Sequence, residues 1–209
     1  MRVLFLGNGT WPHTWVRERC IAMVSDPLTD APGEYELGLS WGYRHRVPVS
    51  VLAELPIVNV HTGYLPWNRG AYPNVWPLLD GSPAGVTLHW MDAGFDTGDI
   101  IAQEKAPVFP WDTAESLHGR LATQAFDLCR RTWPSIMDGT APRTPQTGPG
   151  TEHRKRDLEA VTLRLGQTMP VERVLAILRA RTFAGYPGVR FTDSGQTWDV
   201  TVNCRKVEP

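Results

Sequence analysis

Two short apolar runs, Val3-Leu4-Phe5-Leu6 and Pro56-Ile57-Val58-Asn59-Val60, constrain the fold more than anything else in the chain. Both are too short for helices, and the first breaks at the glycine turn Gly7-Asn8-Gly9-Thr10. A strand with apolar residues facing both ways has to be covered on both sides, as in a parallel sheet lying between helices. The fold class that follows is α/β.

The intervening sequence supplies the other elements. A helix is expected over about Trp15 to Met23, and a strand over Glu36-Leu37-Gly38-Leu39-Ser40-Trp41, ending in a turn at Gly42-Tyr43. A short helix follows from Pro48 to Leu55. Val86 to Met91 alternates as a strand should, Ile100 to Val108 is a further strand, and Asp92 to Asp99 forms the loop between them. Asp112-Thr113-Ala114-Glu115 reads as a capping box opening a long helix. Its Leu117, Leu121, Leu128 and Ile136 share one side, and it closes near Asp138-Gly139.

Residues 139–150 carry three prolines and three glycines and almost nothing apolar, which marks a linker or an extended surface crossing. Beyond it, Val171 to Thr182 is an amphipathic helix opened by Pro170, with Val174, Leu175 and Leu178 toward a core. Asp193-Ser194-Gly195 between two apolar segments predicts a β-hairpin. The expected organisation is a main body over 1–138, a linker over 139–154, and a C-terminal helix and hairpin over 155–209. An extension of that size is too small to form an independent core and is expected to dock on the main body or on another subunit.

Composition excludes several function classes. A chain of 209 residues with 21 Lys+Arg against 22 Asp+Glu has no basic field to gather nucleic acid. The apolar runs fall short of the roughly 18 residues of a membrane-spanning helix, so a cytoplasmic protein without membrane contact is expected. Cys20, Cys129 and Cys204 are far apart, with no Cys-x-x-Cys pair; buried thiols and no metal are expected. Nine tryptophans and 18 prolines, many of them between residues 64 and 134, suggest stiff loops around a pocket. Arg154-Lys155-Arg156 is a charge run that suits a phosphate or a solvated face.

One set of side chains has the chemistry for acyl transfer to an amine. Residues two apart on a strand project to the same face, so Asn59 and His61 share one space at the carboxyl end of their strand, where ligand sites of open α/β sheets lie. Asp96, in a glycine-bearing loop that also follows a strand, can converge on them. The Asn59 amide can donate to a developing oxyanion, His61 can donate or take a proton, and Asp96 can hold the imidazole or relay a proton. A carboxylate there is expected to raise the imidazole pKa and favour the cation. Asn, His and Asp at strand ends also serve as turn and capping residues, so residue chemistry alone leaves both readings open.

The stretch Asn59-Val60-His61-Thr62-Gly63-Tyr64-Leu65-Pro66-Trp67-Asn68-Arg69-Gly70, then Gly85 to His89, then Met91 to Ile100, resembles the N10-formyltetrahydrofolate-dependent formyltransferases. The resemblance implies a Rossmann-like catalytic domain with Asn59, His61 and Asp96 as catalytic residues. It implies a pterin site formed by Gly42, Tyr43, Arg44, His45 and Val47 on one side and Asp92, Ala93, Gly94 and Phe95 on the other. It further implies acceptor contacts from Asn8, Gly9, Thr10, Trp67, Asn68 and Arg69. N10-formyltetrahydrofolate is the implied co-substrate. Two departures stand out: an amino half shorter than usual, as though one early β-α unit were absent, and Thr62-Gly63, where the family commonly has a serine and a bulkier residue. The tail lacks the basic loop and β-barrel domain expected of a methionyl-tRNA enzyme and is more similar to the short end of sugar N-formyltransferases, which often helps form a homodimer. The expected acceptor is a small amine, foremost a nucleotide-linked amino sugar. An amino-acid or peptidyl amine, or a non-catalytic folate- or nucleotide-binding module, are the alternatives.

Overall fold

A computed structural model of the chain describes residues 1–30, 33–158 and 161–207. In chain order the elements are β1 (Val3–Leu6), α1 (Thr14–Arg17), β2 (Ala22–Val24), β3 (Leu37–Ser40), α2 (Val49–Glu54), β4 (Ile57–His61), β5 (Arg69–Gly70) and α3 (Trp76–Asp80). They continue as β6 (Ala84–Trp90), β7 (Ile100–Ala106), α4 (Ala114–Met137), β8 (Glu152–His153), β9 (Thr162–Leu163), α5 (Val171–Arg181), β10 (Val189–Asp193) and β11 (Gln196–Val200). The central six-stranded sheet has the order β2-β1-β3-β4-β6-β7. Strands β2, β1, β3 and β4 run parallel, and β6 and β7 are antiparallel to their neighbours. The fold is therefore α/β with a parallel half, and β4 lies where the parallel and antiparallel halves join.

Alternation along the apolar runs feeds two cores. Phe5, Val58 and Val60 pack on one side of the sheet with Leu117, Leu121, Leu128 and Ile136 of α4. Leu4, Leu6 and Ile57 pack on the other side with Val51 and Leu55. Each such buried side chain contributes about 1.5–3 kcal/mol. No helix among the described residues is long and apolar enough to cross a membrane. Burial pushes the thiols of Cys20 and Cys129 up to about 12, which keeps them protonated.

Several boundaries differ from expectation. The helix expected from Trp15 to Met23 shrinks to α1, because Ile21 donates its N–H to the Val3 carbonyl at 2.9 Å and Ala22–Val24 extend the sheet beside β1. Ile21 and Val24 are β-branched, and pairing here satisfies the backbone groups of β1 that would otherwise be left at an open edge. The capping box of α4 sits one residue later: the Thr113 side chain accepts from Ser116 N and the Ser116 hydroxyl accepts from Thr113 N. Asp112 is instead fully buried, accepting from Phe109 N at 2.7 Å and from Arg120. On α5, Ile177 and Ala180 face the core whereas Leu175 stays exposed, because Arg179 docks the helix by donating to the carbonyls of Asp112 and Phe109 at 2.7 Å each.

The stretch 139–154 is an extended crossing bound to the main body, not a free spacer. Thr144 exchanges backbone hydrogen bonds with Ile100, Thr151 N donates to Pro66 O, and β8 pairs with β5. The hairpin β10–β11 forms as expected, with Ser194 and Gly195 both at positive φ in its turn.

Candidate active site

Cross-strand register builds the centre of the site. On β4, Asn59 pairs opposite Ser40 of β3 and His89 of β6, while His61 pairs opposite Thr87. Both therefore lie on one face at the carboxyl end of a parallel strand. Asp96 reaches them from the loop after β6, with its backbone in the left-handed region at φ 53°. That loop is pinned at its start, where the Asp92 carboxylate accepts from Gly94 N at 3.0 Å and from the Thr97 hydroxyl at 2.6 Å.

Four side chains converge. The Asn59 amide donates to Asp96 Oδ1 at 3.1 Å, and its nitrogen also lies 3.1 Å from His89 Nε2. Gly70 N donates to Asp96 Oδ2 at 2.7 Å, while His61 Nδ1 lies 3.5 Å from that oxygen and His89 Nε2 lies 3.3 Å from Oδ1. His89 Nδ1 lies 2.9 Å from the Trp90 carbonyl, an acceptor only, while its Nε2 faces both the Asn59 amide nitrogen and Asp96 Oδ1. His89 is a site residue to which the sequence assigned no role, although it closes the Gly85 to His89 stretch and shares with Thr87 the polar face of a strand whose other face is Val86, Leu88 and Trp90.

The charge states follow from these contacts. Burial opposes ionisation of Asp96, but the positive charge of His61 when it is protonated, the His89 imidazole and the Gly70 N–H outweigh it and hold the carboxyl well below the usual carboxylate range. Two N–H donors, from Gly70 and Asn59, keep the anion solvated whatever the charge of His61. His61 goes the other way from the sequence expectation: burial lowers its imidazole from the ordinary 6.5 and outweighs the opposite pull of Asp96. Its Nε2 lies 2.9 Å from the carbonyl of Asn68, an acceptor only, so the proton of the neutral ring sits on Nε2 and the Nδ1 lone pair faces Asp96. The Thr62-Gly63 departure has a local reason. A Cβ at position 63 would lie 2.5 Å from His61 Nε2 and 3.1 Å from the Asn68 carbonyl oxygen, so glycine leaves room for this hydrogen bond.

Two cavities adjoin the cluster. One, of about 440 Å³, lies between Tyr43, Arg44, His45, Arg46 and Val47 on one side and Asp92, Ala93, Gly94, Phe95 and Asp96 on the other, with Asn59 at its base. Arg46 bridges its walls by donating to Ala93 O at 3.0 Å and lying over the Phe95 ring. The Tyr43 hydroxyl points away, donating to Asp26 O at 2.6 Å, so its role there is to fix the loop. The second cavity, of about 590 Å³, is lined by Asn8, Gly42, Thr62, Tyr72, Asn74, His118, Arg181, Phe183 and Tyr186. Arg44, Ala71 and Lys155 line both. Gly42, expected on the pterin side, thus lies in the second cavity.

The expected acceptor contacts divide. Asn8 lines the second cavity and accepts from the Thr10 hydroxyl at 2.7 Å; Gly9 and Thr10 do not line it. Trp67, Asn68 and Arg69 line neither cavity. Asn68 is fully buried, its amide donating to Ser82 Oγ at 3.0 Å and to Pro83 O at 3.2 Å, so its side chain braces a loop and cannot reach a ligand. Arg69 is turned onto Gln146 Oε1, with Nε at 3.1 Å and Nη2 at 2.7 Å.

Residues 37–131 match the formyl transferase family model, and residues 159–206 match the N-formyltransferase dimerization C-terminal domain. A dTDP-4-amino-4,6-dideoxyglucose formyltransferase of Mycobacterium tuberculosis is 31% identical over 172 residues, which cover 82% of this chain and 74% of that protein. The crystal structure of a Mycobacterium tuberculosis protein considered a sugar N-formyltransferase superposes with a TM-score of 0.87 at 27% identity, covering 100% of this chain and 99% of the other. A formyltransferase of Anoxybacillus kamchatkensis, solved with UDP-4,6-dideoxy-4-formamido-L-AltNAc and tetrahydrofolate, gives a TM-score of 0.69 at 31% identity over 75% of this chain and 87% of that one. Similar along most of its length to a known enzyme, and matched by family models in both its main body and its tail, the chain belongs to the formyltransferase family.

Proposed function

We propose that the chain transfers the formyl group of N10-formyltetrahydrofolate to the primary amine of a nucleotide-linked amino sugar. The observation that carries this reading is the meeting of two cavities at Arg44, Ala71 and Lys155, beside Gly70 and Asp96. The first cavity suits a pterin: backbone of two loops lines it, Phe95 offers a ring face, and Asn59 and Asp96 stand at its base. The second suits a nucleotide-linked sugar: Arg44, Lys155 and Arg181 supply positive charge for phosphates, and Tyr72, Phe183 and Tyr186 supply apolar faces. The Anoxybacillus relative holding a UDP-linked formamido sugar together with tetrahydrofolate supports the pairing.

N10-formyltetrahydrofolate supplies the activated formyl group when bound. Asn59 then turns one amide N–H from Asp96 toward the oxygen that gains charge as the amine attacks. His61, buried behind Asp96 and lining neither cavity, is neutral with Nε2–H fixed on Asn68 and takes the proton lost by the amine at Nδ1 through a water. The Asp96 carboxylate, 3.5 Å away, stabilises the imidazolium so formed. Residues 1–138 carry the catalysis, while Arg181, Phe183 and Tyr186 of the C-terminal part complete the acceptor cavity. A homodimer through that part, the region matched by the dimerization domain, completes the assembly.

Mass spectrometry of acceptors and parallel measurement of released tetrahydrofolate test the reading. A panel of dTDP- and UDP-linked amino sugars, free amino acids and short peptides is expected to show one formyl gain on a nucleotide sugar only. Formylation confined to an amino acid or peptide would move the acceptor to the alternative class. Absence of any formyl gain, with folate bound, would leave a binding module.

A further inference from the structure

We propose that Gln146, in the extended crossing after α4, is a positioning residue for Asp96, acting with Arg69. The inference rests on the catalytic role given above to Asp96. Gln146 is half-buried in an otherwise mostly exposed stretch. Its Nε2 donates to the backbone carbonyls of Asp96 and Gly98, both at 2.8 Å. Its Oε1 accepts two bonds from the Arg69 guanidinium. Both amide hydrogens and both oxygen lone pairs are thereby used, so the amide has one orientation; flipping it would set oxygen against two carbonyls and NH2 against a cation.

The clamp closes a ring around the carboxylate. From the Asp96 carbonyl it passes through Gln146 to Arg69, whose neighbour Gly70 donates its N–H to Asp96 Oδ2 at 2.7 Å. Backbone and side chain of Asp96 are thus referenced to the same two-residue strand β5. Such a hold is needed because Asp96 stands at φ 53°, a conformation that residues with a Cβ seldom adopt. Released, the loop can relax toward an unstrained backbone and carry the carboxylate away from His61. A stretch rich in proline and glycine, with no titratable group pointing into the cavities at position 146, so takes part in catalysis by geometry alone.

Gln146→Glu is the discriminating variant. It is close in shape and keeps a partner for Arg69, but as an anion it cannot donate to either carbonyl. Turnover is expected to fall roughly 10- to 100-fold, with KM for both substrates within about threefold of wild type. Gln146→Met, which can never donate, is expected to lose turnover likewise with KM held. Wild-type kcat in either variant, a rise in KM that accounts for the loss of activity, or loss of the native near-UV circular dichroism in both variants overturns the positioning role. Asp96→Asn run alongside separates the two readings: if it is inactive, only the role of Gln146 falls, whereas wild-type turnover in Asp96→Asn overturns both.

Discussion

Replacing Gly98 by alanine tests whether the site depends on the placement of its loop. A Cβ at position 98 would lie 1.8 Å from the Trp90 carbonyl oxygen and 2.9 Å from its carbon. An ordinary contact needs about 3.5 Å, so the chain has to shift by about 1.7 Å, the difference between about 3.5 Å and the observed 1.8 Å. Trp90 cannot give way. It ends the buried strand β6, its N–H donates to Asp99 O at 2.9 Å, and its carbonyl accepts from His89 Nδ1 at 2.9 Å. The displacement therefore falls on the Asp92–Asp99 loop, which carries Asp96 and one wall of the first cavity. A misplacement of about 1 Å at a reacting centre costs on the order of 100-fold in rate, or about 2.7 kcal/mol in the barrier. Overpacking costs a further 1–3 kcal/mol of stability, roughly 2–12 °C in melting temperature. Steady-state release of tetrahydrofolate gives kcat and KM, and thermal unfolding by circular dichroism gives the folded fraction. Gly119→Ala is the matched control: it lies in α4 with nothing within 4 Å of its added Cβ, and is expected to leave kcat unchanged while stabilising the helix. A Gly98→Ala enzyme with kcat within about threefold of wild type would refute the claim that this loop geometry controls the site.

Other perturbations read out separate parts of the argument. Asp96→Asn keeps the shape but puts an NH2 against either the Gly70 N–H or the Asn59 amide and removes the charge that stabilises protonated His61; kcat is expected to fall roughly 100- to 10,000-fold with KM little changed, and near-normal turnover would remove Asp96 from the mechanism. On the acid side, kcat is expected to fall as pH drops through a His61 value below 6.5, and a limb centred above 6.5 would contradict the neutral ring. The same depressed pKa makes the unfolded chain bind more protons than the folded one below 6.5, so melting temperature is expected to decline as pH falls through that window. Asp112→Ala removes the buried partner of Arg120 and of Phe109 N; discounted for the half-exposed guanidinium, the loss is about 2–3 kcal/mol in denaturant unfolding, and an unchanged midpoint would show that this anchor is idle.

What was legible in the sequence and what was not divide along the range of the interactions. Local pattern sufficed for the buried strands around Val3–Leu6 and Ile57–Val60, for the apolar side of α4 and for the Ser194-Gly195 turn, because those depend on neighbours a few residues away. Where a local preference competed with a distant partner, the distant partner won. Ile21 to Val24 left a helical pattern to extend the sheet along β1, and Asp112 left the cap to pair with Arg120.

The site shows the same division at higher resolution. Residue order alone made the side chains available, Asn59 and His61 on one face of a strand and Asp96 in a glycine-bearing loop. Tertiary structure decided their states and their support. Register between β4 and β6 brought His89 onto Asn59, burial rather than the nearby carboxylate set the charge of His61, and Asn68 and Arg69 turned inward to brace loops. The crossing over 139–154, featureless as sequence, delivers Gln146 to the carbonyls of Asp96 and Gly98. The physical reason is that residue type fixes what a group can donate or accept, while desolvation and hydrogen-bond geometry are set by whatever the fold packs against it.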